Sequence, residues 1–580
     1  MIEATGAQIV TKLLEAHGIT VLAGIPGGSV LPLYDELARS GIRHILVRHE
    51  QAAGFIAQGI ARTTGKPAVC VATSGPGAMN LLTAIADARS DSIPLVAITG
   101  QVSTHLIGTD AFQEADTFGL SFPITKHSVM VKSAAELLDA IPRAFEIAAS
   151  GRPGPVLVDI PRDVQLQRVS FESWPAPREI RPRAERFRTE GESFVRAVDE
   201  AARILASAER PVLYAGGGCN SPEAASGIAS LLSAIPVPVV TSLMGIGCVS
   251  ADNPLRLGMV GMHGSAAANR AMHDSDVVLA VGVRFDDRAT GLIRQFCPGA
   301  RIIHVDIDAA EVNKILHSHC PIVADAESVL PVIASRVLEL GGGGESLARA
   351  RAEWIAGLSR LRDAETETYR GDAERSSRAL GSVHPSLFIA SIPERVRALG
   401  GNPEELIVTT DVGQHQMWTA QWFPVSRPRQ LLTSGSLGTM GFGLPAAIGA
   451  AIANPGKRVI CFSGDGSIMM NVQELATLAE LGLDVTVIVL DNAALGMVRQ
   501  QQELIFAKNY SACIYERSPD LVRIAEGFGI ESVDAASPEW ERVAFGGKGP
   551  RFVRCRIEQG ENVWPFVPAG KANVDAMTGR

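Results

Sequence analysis

A single pattern recurs along almost the whole chain. A short, continuous run of β-branched and apolar residues is followed by a glycine-rich or polar turn and then by an amphipathic helical stretch. Apolar runs without polar alternation belong to strands buried on both faces, and helices between them provide the crossovers that parallel pairing requires. A first block offers strands at 44–47, 68–72, 94–99 and 156–159, with Ala52, Phe55, Ile56 and Ile60 on one face of an intervening helix. A second offers 212–215, 237–240, 277–281 and 302–305, and a third 406–409, 458–462, 485–490 and 552–556. Two segments break the rhythm. Residues 173–188 are rich in Pro, Arg and Glu, and 341–378 are glycine-rich and then charged, with a helix-like part over 348–369. The predicted fold is α/β, three consecutive doubly wound parallel-sheet domains over 1–175, 185–345 and 375–580. At 580 residues the chain is too long for one core, which agrees.

Composition removes several classes of function. Lys and Arg number 53 against 62 Asp and Glu, a net charge of −9, so nothing draws the chain as a whole to nucleic acid or an anionic membrane. The eight cysteines form no CxxC pair, and Cys70 and Cys461 sit inside strand-like runs. They read as small buried hydrophobes in a reducing compartment. The N-terminus lacks the basic and apolar regions of a signal peptide. The longest uncharged stretch, 431–456, is broken by Gly435, Gly438, Gly441, Gly443 and Pro445. Its continuous helical part, 444–454, falls short of the roughly 20 residues that span a bilayer. A cytoplasmic protein is expected.

The most specific chemistry lies in Gly464-Asp465-Gly466-Ser467, directly after the strand at 458–462. Ligands of open αβ sheets bind beyond the carboxyl ends of strands. Gly464 and Gly466 allow a sharp turn and close approach to phosphate, and a helix expected over 468–481 would point its N-terminus at the same anion. Asn492 follows Asp465 by 27 positions, at the end of the next strand. One strand–helix–strand unit therefore sets the Asp465 carboxylate beside the Asn492 amide oxygen. Few, hard oxygen ligands beside phosphate suit magnesium, and the Ala494 carbonyl is positioned to add one more.

This arrangement resembles the diphosphate motif of thiamine diphosphate enzymes, whose fold is three consecutive αβ domains. The resemblance implies that the third block holds the diphosphate and the first the aminopyrimidine, usually on a neighbouring subunit. It also requires a glutamate after a first-domain strand, and Arg48-His49-Glu50 follows Ile45-Leu46-Val47. Glu50 would hydrogen-bond the pyrimidine and favour the tautomer that takes the thiazolium proton; read alone, it is a helix-start acid meeting the helix dipole. Val412, Gly413, Gln414 and His415 match the segment that contacts the diphosphate. Gly438-Thr439-Met440-Gly441 matches the segment whose bulky residue bends the cofactor, with Met440 as the wedge or as mere core filling. Gly466, Ser467, Gly496 and Met497 complete the implied set.

Along nearly the full chain the resemblance narrows to the catalytic subunit of acetohydroxyacid synthase (acetolactate synthase), most of all to its bacterial isozyme I type. It rests on Gly24-Ile25-Pro26-Gly27-Gly28, Arg48-His49-Glu50-Gln51, Ser74-Gly75-Pro76-Gly77, residues 108–114 and 150–155, Arg284-Phe285-Asp286-Asp287-Arg288 and His304-Val305-Asp306-Ile307-Asp308. It implies decarboxylation of pyruvate and transfer of the two-carbon unit to pyruvate or 2-ketobutyrate in branched-chain amino acid biosynthesis. Arg288 would hold the acceptor carboxylate through its planar guanidinium, or else pair with Asp286 or Asp287. Gly28, Phe112 and Gln113 are carried over as pocket residues. FAD, in a non-redox role, would meet Arg152, Gly216, Gly217, Gly218, His263, Arg284, Asp306 and Asp325. Asp306, ending a strand, equally suits a helix cap.

Two positions depart from the family. Gln501 stands where many members carry Trp against the extra methylene of 2-ketobutyrate, which predicts little acceptor bias. Arg162 stands where Lys is common. A homodimer or homotetramer with sites between chains and a small regulatory subunit is implied. The rivals are pyruvate oxidase, a flavin-free catabolic acetolactate synthase and a nucleotide-binding protein that kept only the fold.

Overall fold

The computed structural model describes residues 1–178, 191–341, 344–380 and 382–579. Positions 179–190, which carry most of the first expected linker and the expected start of the middle domain at 185, lie outside the described residues, as do 342–343 in the second.

Three sheets of six strands each follow one another along the chain, with every strand pair in them parallel. A short antiparallel pair, Ile2–Thr5 with Arg168–Phe171, closes the first block on itself. Counted along the chain within each sheet, the first and third share the spatial order 2-1-3-4-6-5, whereas the middle sheet runs 3-2-1-4-5-6. In each, successive connections diverge beside the first strand and open a crevice at the carboxyl ends, the position where ligands of such sheets bind.

The interior strands coincide with the expected runs to within a few residues. Those not anticipated are nearly all sheet edges: His127–Met130, Arg256–Met259, Cys320–Val323, Leu431–Leu432 and Glu531–Asp534. They are only 2–4 residues long and several are partly exposed, so they lack the apolar continuity of buried strands. Val21–Gly24 is the interior exception, too short to stand out.

Helix Glu50–Thr64 is buried on nearly every side rather than along one face. It is clamped between the first sheet and helix Gly443–Ala453 of the third block. A Cβ at Gly59 would lie 2.2 Å from the Ala446 carbonyl, and one at Gly449 would lie 2.0 Å from the Ile56 carbonyl, so the two backbones touch. This crossing joins the outer blocks within one chain. The charged linker is one long helix, Gly344–Leu380, laid against the middle block by Trp354 and Leu358 and by Arg362, which donates to the Pro254 carbonyl at 2.8 Å. All eight cysteines are buried and free. Among the described residues no helix is long and apolar enough to cross a membrane.

Candidate active site

One cavity of about 750 Å³ joins the crevices of the middle and third sheets. Its middle-block wall includes Gly217, Gly218, Asp306 and Asp325, and its third-block wall includes Val412 to His415, Asp465 to Ser467, Asn492 and Ala494.

The third-block wall is built by two neighbouring strands. Val459–Gly464 and Val485–Asp491 run parallel and in register, ending at Asp465 and Asn492. Ala493 then takes a left-handed φ of 54°, turning the chain so that the Ala494 N–H faces back. That N–H donates to Asp465 Oδ2 at 3.2 Å and to Asn492 Oδ1 at 3.1 Å, so the two oxygens converge on one point. Burial and the adjacent Asp491 carboxylate push the Asp465 carboxyl up to about 7. A buried acid crowded by another acid, with a hard amide oxygen beside it, is a charge distribution that a divalent cation relieves. Among the described residues no three His, Cys, Asp or Glu side chains gather as a metal cluster. The oxygens brought together are one carboxylate and one amide, a hard and sparse donor pair of the kind that suits a cation shared with phosphate oxygens and water.

Around this pair, Ser467 Oγ donates to the Val412 carbonyl at 2.7 Å and locks two of the loops together. His415 is buried beside Gly413 and Gly464, its imidazole pushed down to about 3 by burial and therefore neutral. Among the described residues its Nε2 has no hydrogen-bond partner, an orphan that suits a polar ligand. The helix expected over 468–481 is not continuous. One turn, Asp465–Ile468, is followed by a break, and the helix proper is Glu474–Leu481. Asn471 sits in the break and donates to the Gly441 carbonyl at 2.7 Å, a tertiary bond that overrides local helix propensity. The expected anion site therefore meets a single helical turn and not the start of a long helix.

Glu50 opens its helix, with His49 as the cap, and accepts from Asn80 Nδ2 at 2.9 Å. It does not line the cavity, and neither do Gly28, Phe112, Gln113 and Arg162. Three of these converge instead at the crevice of the first sheet. Ser29, next to Gly28, bonds Thr73 and Ser74; a Cβ on Gly77 would lie 3.2 Å from Glu50 Oε1; and a Cβ on Gly75 would lie 2.6 Å from the Gln113 carbonyl. Phe112 beside them is 88 % exposed. The first-sheet crevice and the cavity are thus two separate places on the chain.

Three family models match the chain, one on each sheet. They are the N-terminal thiamine pyrophosphate (thiamine diphosphate) binding domain of thiamine pyrophosphate enzymes over residues 4–120, the central domain of these enzymes over 198–333, and their C-terminal binding domain over 411–555. Among curated relatives, the acetolactate synthase isozyme 1 large subunit of Escherichia coli (strain K12) is 48 % identical over 99 % of this chain and 97 % of its own length. The isozyme 2 large subunit of the same organism is 44 % identical over 99 % of both chains, and acetolactate synthase of Mycobacterium bovis is 43 % identical over 100 % of this chain and 92 % of its own. The chain belongs to the acetolactate synthase large-subunit family.

The remaining residues suggested by resemblance to acetolactate synthase fall on the cavity wall, except Gly216, which lies behind it. Arg152 bonds Glu311 at 2.6 Å and Asp308 at 3.2 Å, and Arg284 donates to the Ser90 carbonyl at 2.8 Å. His263 is buried, pushed down to about 4, with Nδ1 at 3.0 Å from the Pro565 carbonyl. Burial lifts the Asp306 carboxyl to about 6, while Asp325 caps helix Ala326–Glu339. Gly216 and Gly218 are required first by packing, since a Cβ on either would lie 2.1 or 2.8 Å from Gly282. That crossing clears the mouth of the middle crevice at Gly217. Arg288 is two-thirds exposed, 3.8 Å from Asp287, a loose pair that leaves its guanidinium available. Gly438, Met440, Gly496, Met497 and Gln501 also line the cavity.

Sequence reasoning missed a buried charge cluster. Arg62 pairs with Asp91 at 2.8 Å and Asp87 at 3.2 Å and stacks on Phe442. Asp87 accepts from Ser434 and from Thr439, the latter at 2.8 Å, while Asp91 accepts the Gly435 and Ser436 N–H groups. The first block thereby grips the loop carrying Gly438 and Met440. The C-terminal segment is docked on the middle block: Val567 donates to the Met262 carbonyl at 2.9 Å and Leu292 to the Lys571 carbonyl at 2.9 Å.

Proposed function

We propose that this chain catalyses the acetolactate synthase reaction: pyruvate loses carbon dioxide and its two-carbon remainder joins pyruvate or 2-ketobutyrate, giving 2-acetolactate or 2-aceto-2-hydroxybutyrate for branched-chain amino acid synthesis. The observation that carries it is the convergence of Asp465 and Asn492 oxygens on the Ala494 N–H, in a chain 48 % identical to an acetolactate synthase over nearly its whole length.

Asp465, Asn492 and the Ala494 carbonyl would hold Mg²⁺, with Gly413 to His415 and Gly466 to Ser467 around the diphosphate. When bound, thiamine diphosphate supplies a nucleophilic carbon and an electron sink for the decarboxylation. Glu50 holds a proton at the pyrimidine ring and sets its tautomer. Gln113 and Gly28 lie at the same crevice as Glu50, and Phe112 excludes water beside them. Arg288 orients the acceptor carboxylate by charge and planar geometry. Gln501 meets the acceptor side chain. FAD fits the middle crevice, whose 3-2-1-4-5-6 order is that of dinucleotide-binding sheets.

Since Glu50 and the cavity belong to separate half-sites of one chain, the complete site is assigned to a homodimer, or a dimer of dimers, in which Glu50 of one copy faces the coenzyme of the other. The exposed Phe112 is apolar surface that such a pairing would cover. A small regulatory subunit is the further partner, in keeping with the "large subunit" names of the relatives, and the setting is the cytoplasm. The test is product analysis from pyruvate with and without 2-ketobutyrate, Mg²⁺ and thiamine diphosphate. Acetohydroxyacid formation without an electron acceptor, reduced about 10²–10⁴-fold by Glu50→Gln, supports the reading. Acetate or free acetaldehyde as sole product, or full activity in the variant, overturns it.

A further inference from the structure

We infer that Gln500, a fully buried residue with no contact to the oxygen pair, is the positioning residue that turns the Asn492 amide so that its oxygen, not its nitrogen, faces the metal. This rests on the magnesium reading above. An amide is nearly symmetric in shape, so something must decide which end points where. Here the decision is made by backbone groups whose roles cannot be exchanged. The Val563 N–H donates to Gln500 Oε1 at 2.8 Å, and Gln500 Nε2 donates to the Val563 carbonyl at 3.0 Å. The Gln500 amide has one permitted orientation as a result. Its oxygen then accepts from Gln414 Nε2 at 3.0 Å, which also donates to the Glu561 carbonyl at 2.9 Å. Gln414 must therefore present its Oε1 to Asn492, whose Nδ2 donates to it at 3.2 Å. The remaining end of Asn492 is the oxygen, which lies beside Asp465 and accepts from the Ala494 N–H at 3.1 Å, a bond that holds the same orientation the relay sets from the other side.

All three amides are 8 % exposed or less, so water does not compete for these bonds. Gly496 supplies an independent sign that the joint is built. A Cβ there would lie 2.1 Å from Gln414 Oε1 and 2.6 Å from Asn492 Nδ2, so any side chain would force the two amides apart. Each member has its donors and acceptors matched in sequence, and the relay starts on the C-terminal segment at residues 561–563. That segment continues to the middle block, where the Pro565 carbonyl meets His263. The docked tail therefore does more than cover surface: it sets the orientation of a metal ligand through two intervening side chains. Outer partners of metal ligands typically change affinity by about 10–100-fold.

The experiment titrates Mg²⁺ calorimetrically into the full-length protein saturated with thiamine diphosphate, in the absence of substrate. Gln500→Met keeps length and removes both polar ends; Mg²⁺ affinity should fall tenfold or more. Gln500→Glu, protonated in this buried position so that its O–H donates to the Val563 carbonyl, retains an oxygen for Gln414 and should stay within about threefold. Gly496→Ala strikes the same joint from the other side and should reproduce the loss, which keeps the test open if Gln500→Met does not fold. In an Asn492→Asp background both ligand ends are oxygens, so adding Gln500→Met should cost less than threefold further, a coupling that general damage to the fold does not produce. Wild-type Mg²⁺ binding with unchanged Gln500→Met affinity, or equal losses in both backgrounds, overturns the relay alone. Failure of the wild type to bind Mg²⁺ overturns the underlying reading and the relay with it.

Discussion

Replacing Asp87 by Ala removes an acceptor shared by Arg62, Ser434 and Thr439 at the junction of the first and third blocks. The site is fully buried, so solvent does not substitute for the lost carboxylate. Arg62 keeps Asp91 at 2.8 Å, so its charge is not stranded. Two hydroxyls are left without an acceptor, each worth about 1–3 kcal/mol, and the missing atoms leave a small void worth about 1 kcal/mol. The total, about 3–7 kcal/mol, spans the roughly 3–5 kcal/mol that breaking a buried ion pair usually costs. At about 2–4 °C per kcal/mol for domains of this size, the melting midpoint should fall by at least 6 °C. The loop held by Asp87 carries Gly438 and Met440, so thiamine diphosphate affinity should fall tenfold or more. Asp87→Asn, which keeps volume and one acceptor, should show a smaller loss in both. Differential scanning fluorimetry and cofactor titration read the two quantities. A midpoint within 2 °C of wild type together with unchanged affinity refutes the clamp.

Burial pushes the Asp159 carboxyl up to about 7, above its unfolded value of roughly 3.9, so the folded state holds the proton more tightly. Its stabilisation is complete below about pH 4 and is lost as the pH rises through 7. Asp159→Asn should therefore gain in melting midpoint relative to wild type between pH 5 and 8, and a constant difference contradicts the assignment. Gln501→Trp adds an apolar wall for one methylene, worth about 1–3 kcal/mol, and should shift a pyruvate/2-ketobutyrate competition towards acetohydroxybutyrate by tenfold or more. Wild type should show little bias, and strong enrichment there refutes the role given to Gln501. Gly449→Ala would place a methyl 2.0 Å from the Ile56 carbonyl, so it should lower the midpoint and weaken the union of the outer blocks under limited proteolysis; wild-type behaviour of this variant refutes the close crossing.

The interior strands and the Asp465–Asn492 pair were legible because each has a local cause. Burial on both faces writes a continuous apolar run, and one crossover unit sets the spacing of two strand ends. Leu431–Leu432 and Glu531–Asp534 had no such signature, since an edge strand is short and needs only half its surface apolar. The break after Ile468 was invisible for another reason: Asn471 is committed to Gly441, thirty residues away, and no propensity encodes that bond. Arg62, Asp87 and Gln500 were missed because their partners are distant in sequence, 25 residues or more away and for Asp87 partly in another block. A buried Arg in an amphipathic helix and a Gln in a polar run look solvated until the chain folds around them. The resemblance supplied Glu50 and implied that it acts on a neighbouring subunit's coenzyme; nothing in the residues around Glu50 encodes that separation.

The most direct measurement is anomalous diffraction from crystals grown with Mn²⁺ and thiamine diphosphate, since Mn²⁺ takes the oxygen ligands of Mg²⁺. One strong peak within about 2.3 Å of an Asp465 carboxylate oxygen, Asn492 Oδ1 and the Ala494 carbonyl, with Glu50 of a second copy against the pyrimidine ring, is the expected result. A peak elsewhere, or the Asn492 nitrogen turned to the metal, contradicts it.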